Sequence, residues 1–352
     1  MNRKIISENT IKVAINGFGR IGRQVSRIIL QQNPNMEITG VNDLTPLEQL
    51  VHLLKYDSAY GPFQGSVRMT PSKDGMIVNN KIIPIYSARD PHQIPWQSRP
   101  DIVVEATGIF RNVGDASKAG YGAHLDNKYS PARYVILTVP AKDSITTIVM
   151  GVNEYMLDPQ TRMVSNASCT TNCLAPVARV LHERFGIING FMTTIHAYTN
   201  DQRLVDTGHS DLRRARAAAQ NAIPTSTGAA KAVGLVLPEL VGKLDGISVR
   251  IPTITGSLVD LVVNLQTTPS VSEINAAMRE AAEGEMKGIL AYTEDPIVSS
   301  DIIGNSASSI FDSLSTKQLG SSNTYKLLTW YDNEWGYSSR VIDLARLLMG
   351  RR

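Results

Sequence analysis

Ile11-Lys12-Val13-Ala14-Ile15-Asn16-Gly17-Phe18-Gly19-Arg20-Ile21-Gly22-Arg23 begins as an apolar strand and runs directly into three glycines spaced Gly-x-Gly-x-x-Gly. A helix-like stretch follows to Gln32, with Val25, Ile28 and Ile29 on one side. A second short strand, Glu37 to Asn42, then ends at Asp43. The glycines serve different ends. Gly17 makes a tight turn, Gly19 lets backbone approach a pyrophosphate, and Gly22 lets helix and strand pack closely. A glycine triplet alone is a weak signal. Flanked in order by strand, helix, strand and acid, it defines a dinucleotide-binding unit, because an acidic residue about 20 positions on can bind the adenosine ribose hydroxyls.

The same pattern continues downstream. Asp101 to Gly108 and Tyr134 to Thr138 read as buried strands ending in small-residue turns, so Thr107, Gly108 and Thr138 fall at carboxyl ends of parallel strands, where ligands bind. Leu50 to Leu54 reads as helix and Val78 to Ile83 as a hairpin; Gly114 to Ser130 reads as a surface excursion. Beyond Cys169 the β-branched runs Phe191–Ala197, Ile247–Ile251, Ser257–Gln266 and Lys326–Tyr331 are not regularly separated by helices. That predicts an α+β domain with a mainly antiparallel sheet behind an α/β domain with a doubly wound parallel sheet. Asn200 to Thr227 is a long polar loop carrying Arg203, Arg213, Arg214 and Arg216, of the kind that is functional or buried in an interface.

Composition limits the function classes. The 352 residues suffice for about two domains, and 42% hydrophobic with 19% charged is the balance of a soluble globular protein. No apolar run approaches the ~18 residues of a membrane span. Met1 to Thr10 lacks the apolar core of a secretory signal and reads as a short extension. Two cysteines in so long a chain argue against a disulfide framework and for a reducing, cytoplasmic setting. The net charge of +3 suits small anionic ligands, and no basic or aromatic-interleaved run points to nucleic acid.

The chemistry is expected at Ser165-Asn166-Ala167-Ser168-Cys169-Thr170-Thr171-Asn172-Cys173, where a polar lead-in meets the helical spacing of Leu174, Val177, Val180 and Leu181. Cys169 then stands at a helix start, where unpaired N–H groups favour a thiolate. Thr193 to His196 reads as a strand ending on an imidazole that could pair with that sulfur. Each residue alone has a plain structural reading: a small buried hydrophobe, a core histidine, or helix caps for Ser168 and Thr170. Two cysteines four apart lack the spacing and second ligand pair of a structural zinc site, so no metal is expected. A dinucleotide brings hydride chemistry, and a thiolate beside it suggests aldehyde oxidation through a covalent thioester, with the imidazole as base. Arg214 and Arg250 offer guanidinium forks for phosphate oxygens.

The stretch 165–173 resembles the active-site signature of phosphorylating glyceraldehyde-3-phosphate dehydrogenases. Further likeness lies in Asn16–Gly22, Lys55–Asp57, His196–Thr199 with Asn200–Gln202, Thr225–Lys231 and Tyr331–Tyr337. The resemblance implies a homotetramer with a Rossmann domain over 11–168 and 333–352, the helix from Trp335 returning to it, and a catalytic domain over 169–332. It implies NAD-dependent conversion of glyceraldehyde 3-phosphate and inorganic phosphate to 1,3-bisphosphoglycerate. Cys169 would be the nucleophile and His196 the base. Thr199, Arg214 and Asp201 would hold the sugar phosphate; Ser168, Thr170, Thr227, Gly228 and Arg250 would hold the attacking phosphate. Gly17, Gly19, Arg20, Ile21, Gly22, Asp43, Arg89, Thr107, Thr138 and Asn333 would line the cofactor, with Asn333 on the nicotinamide carboxamide. Cys173 would be structural.

The chain also departs from that pattern. Thr207-Gly208 stands where NAD-specific members carry a bulky residue and Pro, but Asp43 would repel a 2′-phosphate; NAD is expected, with NADP use left open. Lys118 to Pro131 is longer than usual, and Ile254-Thr255-Gly256-Ser257 replaces a Pro-Asn-Val-Ser pattern. The competing reading within the chemistry is erythrose-4-phosphate dehydrogenase, which releases its acyl group to water. Outside it stands a nucleotide- or RNA-binding protein with vestigial catalysis.

Overall fold

The computed structural model describes residues 10–115 and 118–350; the extension expected over Met1 to Thr10 lies, except for Thr10, outside them. The chain separates into two compact units. The first holds the described residues up to Thr146, Asp158–Asn166 and those from Val341 on; the second holds Thr147–Leu157 and Ala167–Arg340.

The first unit is built on a nine-stranded sheet. In chain order its elements are β1 (Ile11–Asn16), α1 (Arg20–Gln32), β2 (Met36–Asn42), α2 (Leu47–Lys55), β3 (Val67–Met69), β4 (Gly75–Val78), β5 (Lys81–Tyr86), β6 (Ile102–Glu105), β7 (Tyr134–Leu137), β8 (Thr146–Thr147) and β9 (Met163–Ser165). The strand order is β3-β4-β5-β2-β1-β6-β7-β9-β8. From β5 to β9 the neighbours run parallel, with Ile15 opposite Val41 on one side and Val104 on the other. Central strands covered on both faces read as unbroken apolar runs, and β6 and β7 are buried at every position. The order reverses at β1, so the crevice beyond Asn16 and Glu105 is the topological switch point.

A polar strap crosses those carboxyl ends. Asn42 exchanges hydrogen bonds with Ala88 and donates to Asn16 Oδ1 (2.8 Å), and Asn16 donates to Glu105 Oε2 (2.6 Å). Glu105 also accepts from His124 Nε2 (2.9 Å) and from the backbone N–H of Thr107. Glu105 and His124 are both 0% exposed. The segment from Gly114 is therefore not simply a surface excursion: Tyr121–His124 forms a buried 3-10 turn, and Asn127 donates to the carbonyls of Pro91 and Ile94. Its glycines suggested an exposed loop, but Gly120 is glycine because an added Cβ would run into the backbone of Asn112 and Val113.

The second unit comprises α3 (Cys169–Phe185), β10 (Ile187–Ala197), β11 (Ile223–Ser226), α4 (Ala229–Val236), β12 (Leu244–Ile251), β13 (Ser257–Leu265), α5 (Val271–Glu283), β14 (Leu290–Thr293), β15 (Ser309–Gln318) and β16 (Thr324–Tyr331), and the start of α6 (Trp335–Gly350). Its seven strands are ordered β11-β12-β10-β13-β16-β15-β14, antiparallel except for β10 with β12 and β14 with β15. One sheet face (Val259, Leu261, Val263, Leu327) packs with Leu174, Val177 and Leu181 of α3 and with Ile274 and Met278 of α5. The α/β and α+β classes expected from the sequence are both present.

His124→Ala should destabilise the protein by about 2–4 kcal/mol, because it opens a buried cavity and strips one donor from a buried carboxyl. Urea unfolding followed by circular dichroism reads this; an unchanged midpoint would show that the pair is dispensable.

Candidate active site

In the second unit, Ala167 takes a left-handed backbone (φ 54°), uncommon for a residue with a Cβ. Tyr337 fixes it by donating its hydroxyl to the Ala167 carbonyl (3.1 Å). Ser168 follows as the N-cap of α3, its Oγ accepting from Thr171 N (3.1 Å), so Cys169 is the first residue of the helix. The start of α4 lies alongside: Thr171 Oγ1 donates to the Ala229 carbonyl (3.3 Å), and Gly228 is the N-cap of that helix.

His196 comes from the end of β10 and is 3% exposed. Its Nε2 lies 3.5 Å from Cys169 Sγ. Its Nδ1 lies 2.6 Å from the Ala197 carbonyl and also contacts Arg250 Nη1. A carbonyl only accepts and a guanidinium only donates, so Nδ1 cannot bond to both. With the proton on Nδ1 the ring donates to Ala197, and Arg250 donates to the same oxygen (3.2 Å). That assignment leaves the Nε2 lone pair facing the sulfur.

Burial, with Arg250 adding repulsion, lowers the His196 pKa to about 3. Burial pushes the Cys169 thiol up, and Arg250 pulls against it without reversing the direction. The helix start is where the sequence placed it, but desolvation outweighs the ionisation expected there. Arg250 is itself lowered by desolvation, and its Nε is buried without a partner.

Thr170 Oγ1 bonds to the Tyr331 hydroxyl (2.8 Å), which also meets Thr194 Oγ1 (2.8 Å). The Tyr331 ring stands edge-on to His196 (5.8 Å between centroids). Tyr331 was quoted in the sequence without a role; the alternation Tyr325, Leu327, Thr329, Tyr331 on one buried face was the available signal. Arg214 is braced by its own surroundings: Nη1 to Asp201 (2.7 Å), Nε to Thr225 Oγ1 (2.6 Å) and Nη2 to the Ser226 carbonyl (3.1 Å). Thr199 is tied to Gln202 through both its backbone N–H and its hydroxyl. Thr227 Oγ1 accepts from Ala229 N (3.2 Å). Asn333 is buried, its Oδ1 accepting from Ser257 Oγ (2.8 Å). Cys173 is fully buried against Ser309 and Thr329, and its thiol is pushed up to about 12.

In the first unit the glycine loop has the shape that a dinucleotide requires. Gly17 (φ 93°) would place a Cβ 2.6 Å from Thr107 N, and Gly22 would place one on the Gly17 carbonyl, whereas a Cβ at Gly19 meets nothing. The loop therefore packs tightly at its ends and opens to space at its middle, and α1 begins without a side-chain cap, as a phosphate requires. Asp43 accepts from Phe18 N (2.6 Å) and Thr45 N (2.8 Å), which ties the acid to the loop. The Arg20 guanidinium points to Asp57 (2.7 Å), leaving the start of α1, including Ile21, to act through backbone. Thr107 and Thr138 lie at the ends of β6 and β7, and Arg89 is exposed after β5. Among the described residues no cluster of three metal-ligating side chains occurs, and no helix is long and apolar enough to cross a membrane.

These features define a nucleotide-dependent dehydrogenase with a cysteine–histidine pair. The profile of the glyceraldehyde 3-phosphate dehydrogenase NAD binding domain matches residues 11–113, and that of the C-terminal domain of the same family matches 168–333. The glyceraldehyde-3-phosphate dehydrogenase of Borreliella burgdorferi is 56% identical over 343 residues, covering 96% of this chain and 100% of that protein. The enzyme of Geobacillus stearothermophilus is 53% identical, covering 97% and 99%, and one from Bacillus subtilis is 53% identical, covering 95% and 97%. The chain belongs to the glyceraldehyde 3-phosphate dehydrogenase family.

Two measurements follow from the pair. Iodoacetamide should label Cys169 far faster than Cys173, with a rate still rising above pH 8, and Arg250→Ala should slow it by removing the charge that favours thiolate. Peptide mass spectrometry reads both; a plateau below pH 7 would contradict a raised thiol. For His196, the unfolded ring titrates near 6.5 and the folded one near 3, so the folded state binds fewer protons between those values. Its contribution is full above pH 6.5 and is lost as pH falls toward 3. The stability of His196→Gln should accordingly fall less steeply than wild type from pH 6.5 to 4 in denaturant titrations.

Proposed function

We propose that this chain oxidises D-glyceraldehyde 3-phosphate with NAD and inorganic phosphate through a Cys169 thioester. The observation that carries the reading is the approach of Nε2 to Sγ at 3.5 Å at the start of α3. Cys169 Sγ attacks the aldehyde carbon while His196 Nε2 takes the thiol proton and passes it to the carbonyl oxygen, giving a tetrahedral hydroxyl; His196 takes that hydroxyl proton back as hydride leaves the carbon. NAD, when bound, would supply the hydride acceptor. Inorganic phosphate then attacks the thioester carbon and the thiolate leaves, giving 1,3-bisphosphoglycerate.

Arg214, braced by Asp201, and Thr199 hold the substrate phosphate in this reading. Arg250, Ser168, Thr170, Thr227 and Gly228 hold the attacking phosphate; the abutting starts of α3 and α4 supply N–H donors and the unpartnered Nε of Arg250 supplies charge. The cofactor is held by Gly17, Gly19, Arg20, Ile21, Gly22, Asp43, Arg89, Thr107 and Thr138, and Asn333 receives the nicotinamide carboxamide. In this reading the functional domains are 11–168 with 333–352 and 169–332, although packing alone assigns 147–157, 167–168 and 333–340 to the second unit. The enzyme works in the cytoplasm, and as a homotetramer: the sheet face away from α3 exposes Phe191 (72%), Ile247 (50%) and Val262 (41%), an apolar surface that a second copy would cover.

NADH formation from glyceraldehyde 3-phosphate should require phosphate or arsenate, exceed the rate with erythrose 4-phosphate, and prefer NAD to NADP. Steady full-rate turnover without either anion would favour release to water, as in erythrose-4-phosphate dehydrogenase. His196→Asn should lower turnover by about 10²–10⁴-fold with dinucleotide affinity unchanged.

A further inference from the structure

The segment Ile254–Ser257, which departs from the family pattern, lies between two parts of the site. Gly256 is left-handed (φ 89°), and an added Cβ would sit 2.5 Å from the Ser299 carbonyl, so the turn into β13 is fixed. Ser257 follows, 1% exposed. The β10–β13 ladder ends at Ile195 opposite Leu258. The N–H of Ala197, beyond that pairing, donates to Ser257 Oγ instead (3.2 Å). One lone pair of the hydroxyl takes that N–H, and its proton goes on to Asn333 Oδ1 (2.8 Å).

Two consequences follow. The Asn333 atom facing Ser257 is its oxygen, which turns the NH₂ away from Ser257. Thr255 Oγ1 has one proton for two nearby oxygens, Asp332 Oδ1 (3.0 Å) and Asn333 Oδ1 (3.3 Å), and the shorter contact is the one to Asp332. Asp332 holds the dipeptide from the other side, accepting from the N–H groups of Glu334 and Trp335 (2.9 Å each) and from Gly304 (2.8 Å). The second consequence concerns His196. The Ala197 residue anchored through its N–H is the one whose carbonyl accepts from Nδ1 (2.6 Å).

We infer that Ser257 is a positioning residue whose single hydroxyl sets the amide face that Asn333 offers to the nicotinamide carboxamide and holds the residue that orients the His196 ring. The inference rests on the proposed role of Asn333. It deepens that role by explaining why one rotamer and one flip are selected, without a contact between Ser257 and substrate.

The test compares Ser257→Ala, Ser257→Thr and Asn333→Ala in the full chain. NAD and ADP-ribose, which lacks the nicotinamide, are titrated by calorimetry, and Cys169 alkylation by iodoacetamide is followed from pH 6 to 10 without nucleotide. Ser257→Ala should weaken NAD about 5–20-fold while ADP-ribose changes less than about twofold. It should also shift the alkylation profile, and Ser257→Thr, which keeps the hydroxyl, should restore both. Equal losses for NAD and ADP-ribose would mark a general structural defect and overturn the inference. So would unchanged NAD affinity in Ser257→Ala while Asn333→Ala weakens it. If Asn333→Ala itself leaves NAD unchanged, the assignment of Asn333 fails, and the inference falls with it.

Discussion

A sulfur and an imidazole nitrogen 3.5 Å apart, the ring buried and the cysteine half-buried, form the contact that the second unit is arranged to produce. Two elements from opposite directions must meet there: the first residue of α3 and the last turn-out of β10. The left-handed Ala167 and the Ser168 cap fix the first, and the Ala197 carbonyl fixes the second. Shielding has a definite electrostatic result. It disfavours both charged forms, so the thiol rises and the imidazole falls. Arg250 acts on the two differently, favouring a thiolate and opposing an imidazolium. Reactivity is therefore conditional on what enters the pocket, since bound groups that change the local charge or exclude the last water alter the balance.

The first unit works by a different constraint. Parallel strands end together at one edge, and their last residues must find polar partners without filling the crevice. The chain Ala88–Asn42–Asn16–Glu105 does this sideways, from strand to strand, with His124 and Thr107 completing the carboxyl. Above that strap the glycine loop is free to follow the shape of a ligand rather than of its own side chains. Gly17 and Gly22 are glycine because backbone occupies the space, and Gly19 because space must stay open.

Those requirements explain why so much was legible in the sequence. Glycine spacing, strand periodicity and a helix-start cysteine are local, and each obeys a steric or hydrogen-bonding rule that the residues themselves display. The α/β and α+β classes, the hairpin at Val78–Ile83 and the Cys169–His196 pairing came from such rules. What was not legible depends on distant partners. The burial of Tyr121–His124 follows from a glutamate 19 residues earlier. The Tyr331 bridge follows from hydroxyls 161 and 137 residues away, and the raised thiol from desolvation by the whole fold. Helix-terminus reasoning gave the direction of one influence on Cys169, but its size relative to burial is a tertiary quantity.

The same distinction bears on how a buried site keeps its proton inventory. His196 has two candidate neighbours at Nδ1, a carbonyl and a guanidinium, and only one of them is compatible with a base lone pair at Nε2. Arg250 donates to that same carbonyl (3.2 Å), so the charge beside the sulfur and the Nδ1 proton share one acceptor. Anchoring Ala197 through its N–H to a side chain, where the β10–β13 pairing has ended, holds that carbonyl in place and keeps the ring in one tautomer. Direction is what hydrogen bonds add here beyond distance: N–H into Ser257, O–H onward to Asn333, each proton having one available acceptor. A hydrophobic brace could hold the same atoms at the same separations, but it could not specify which nitrogen of the imidazole, or which end of the amide, carries hydrogen.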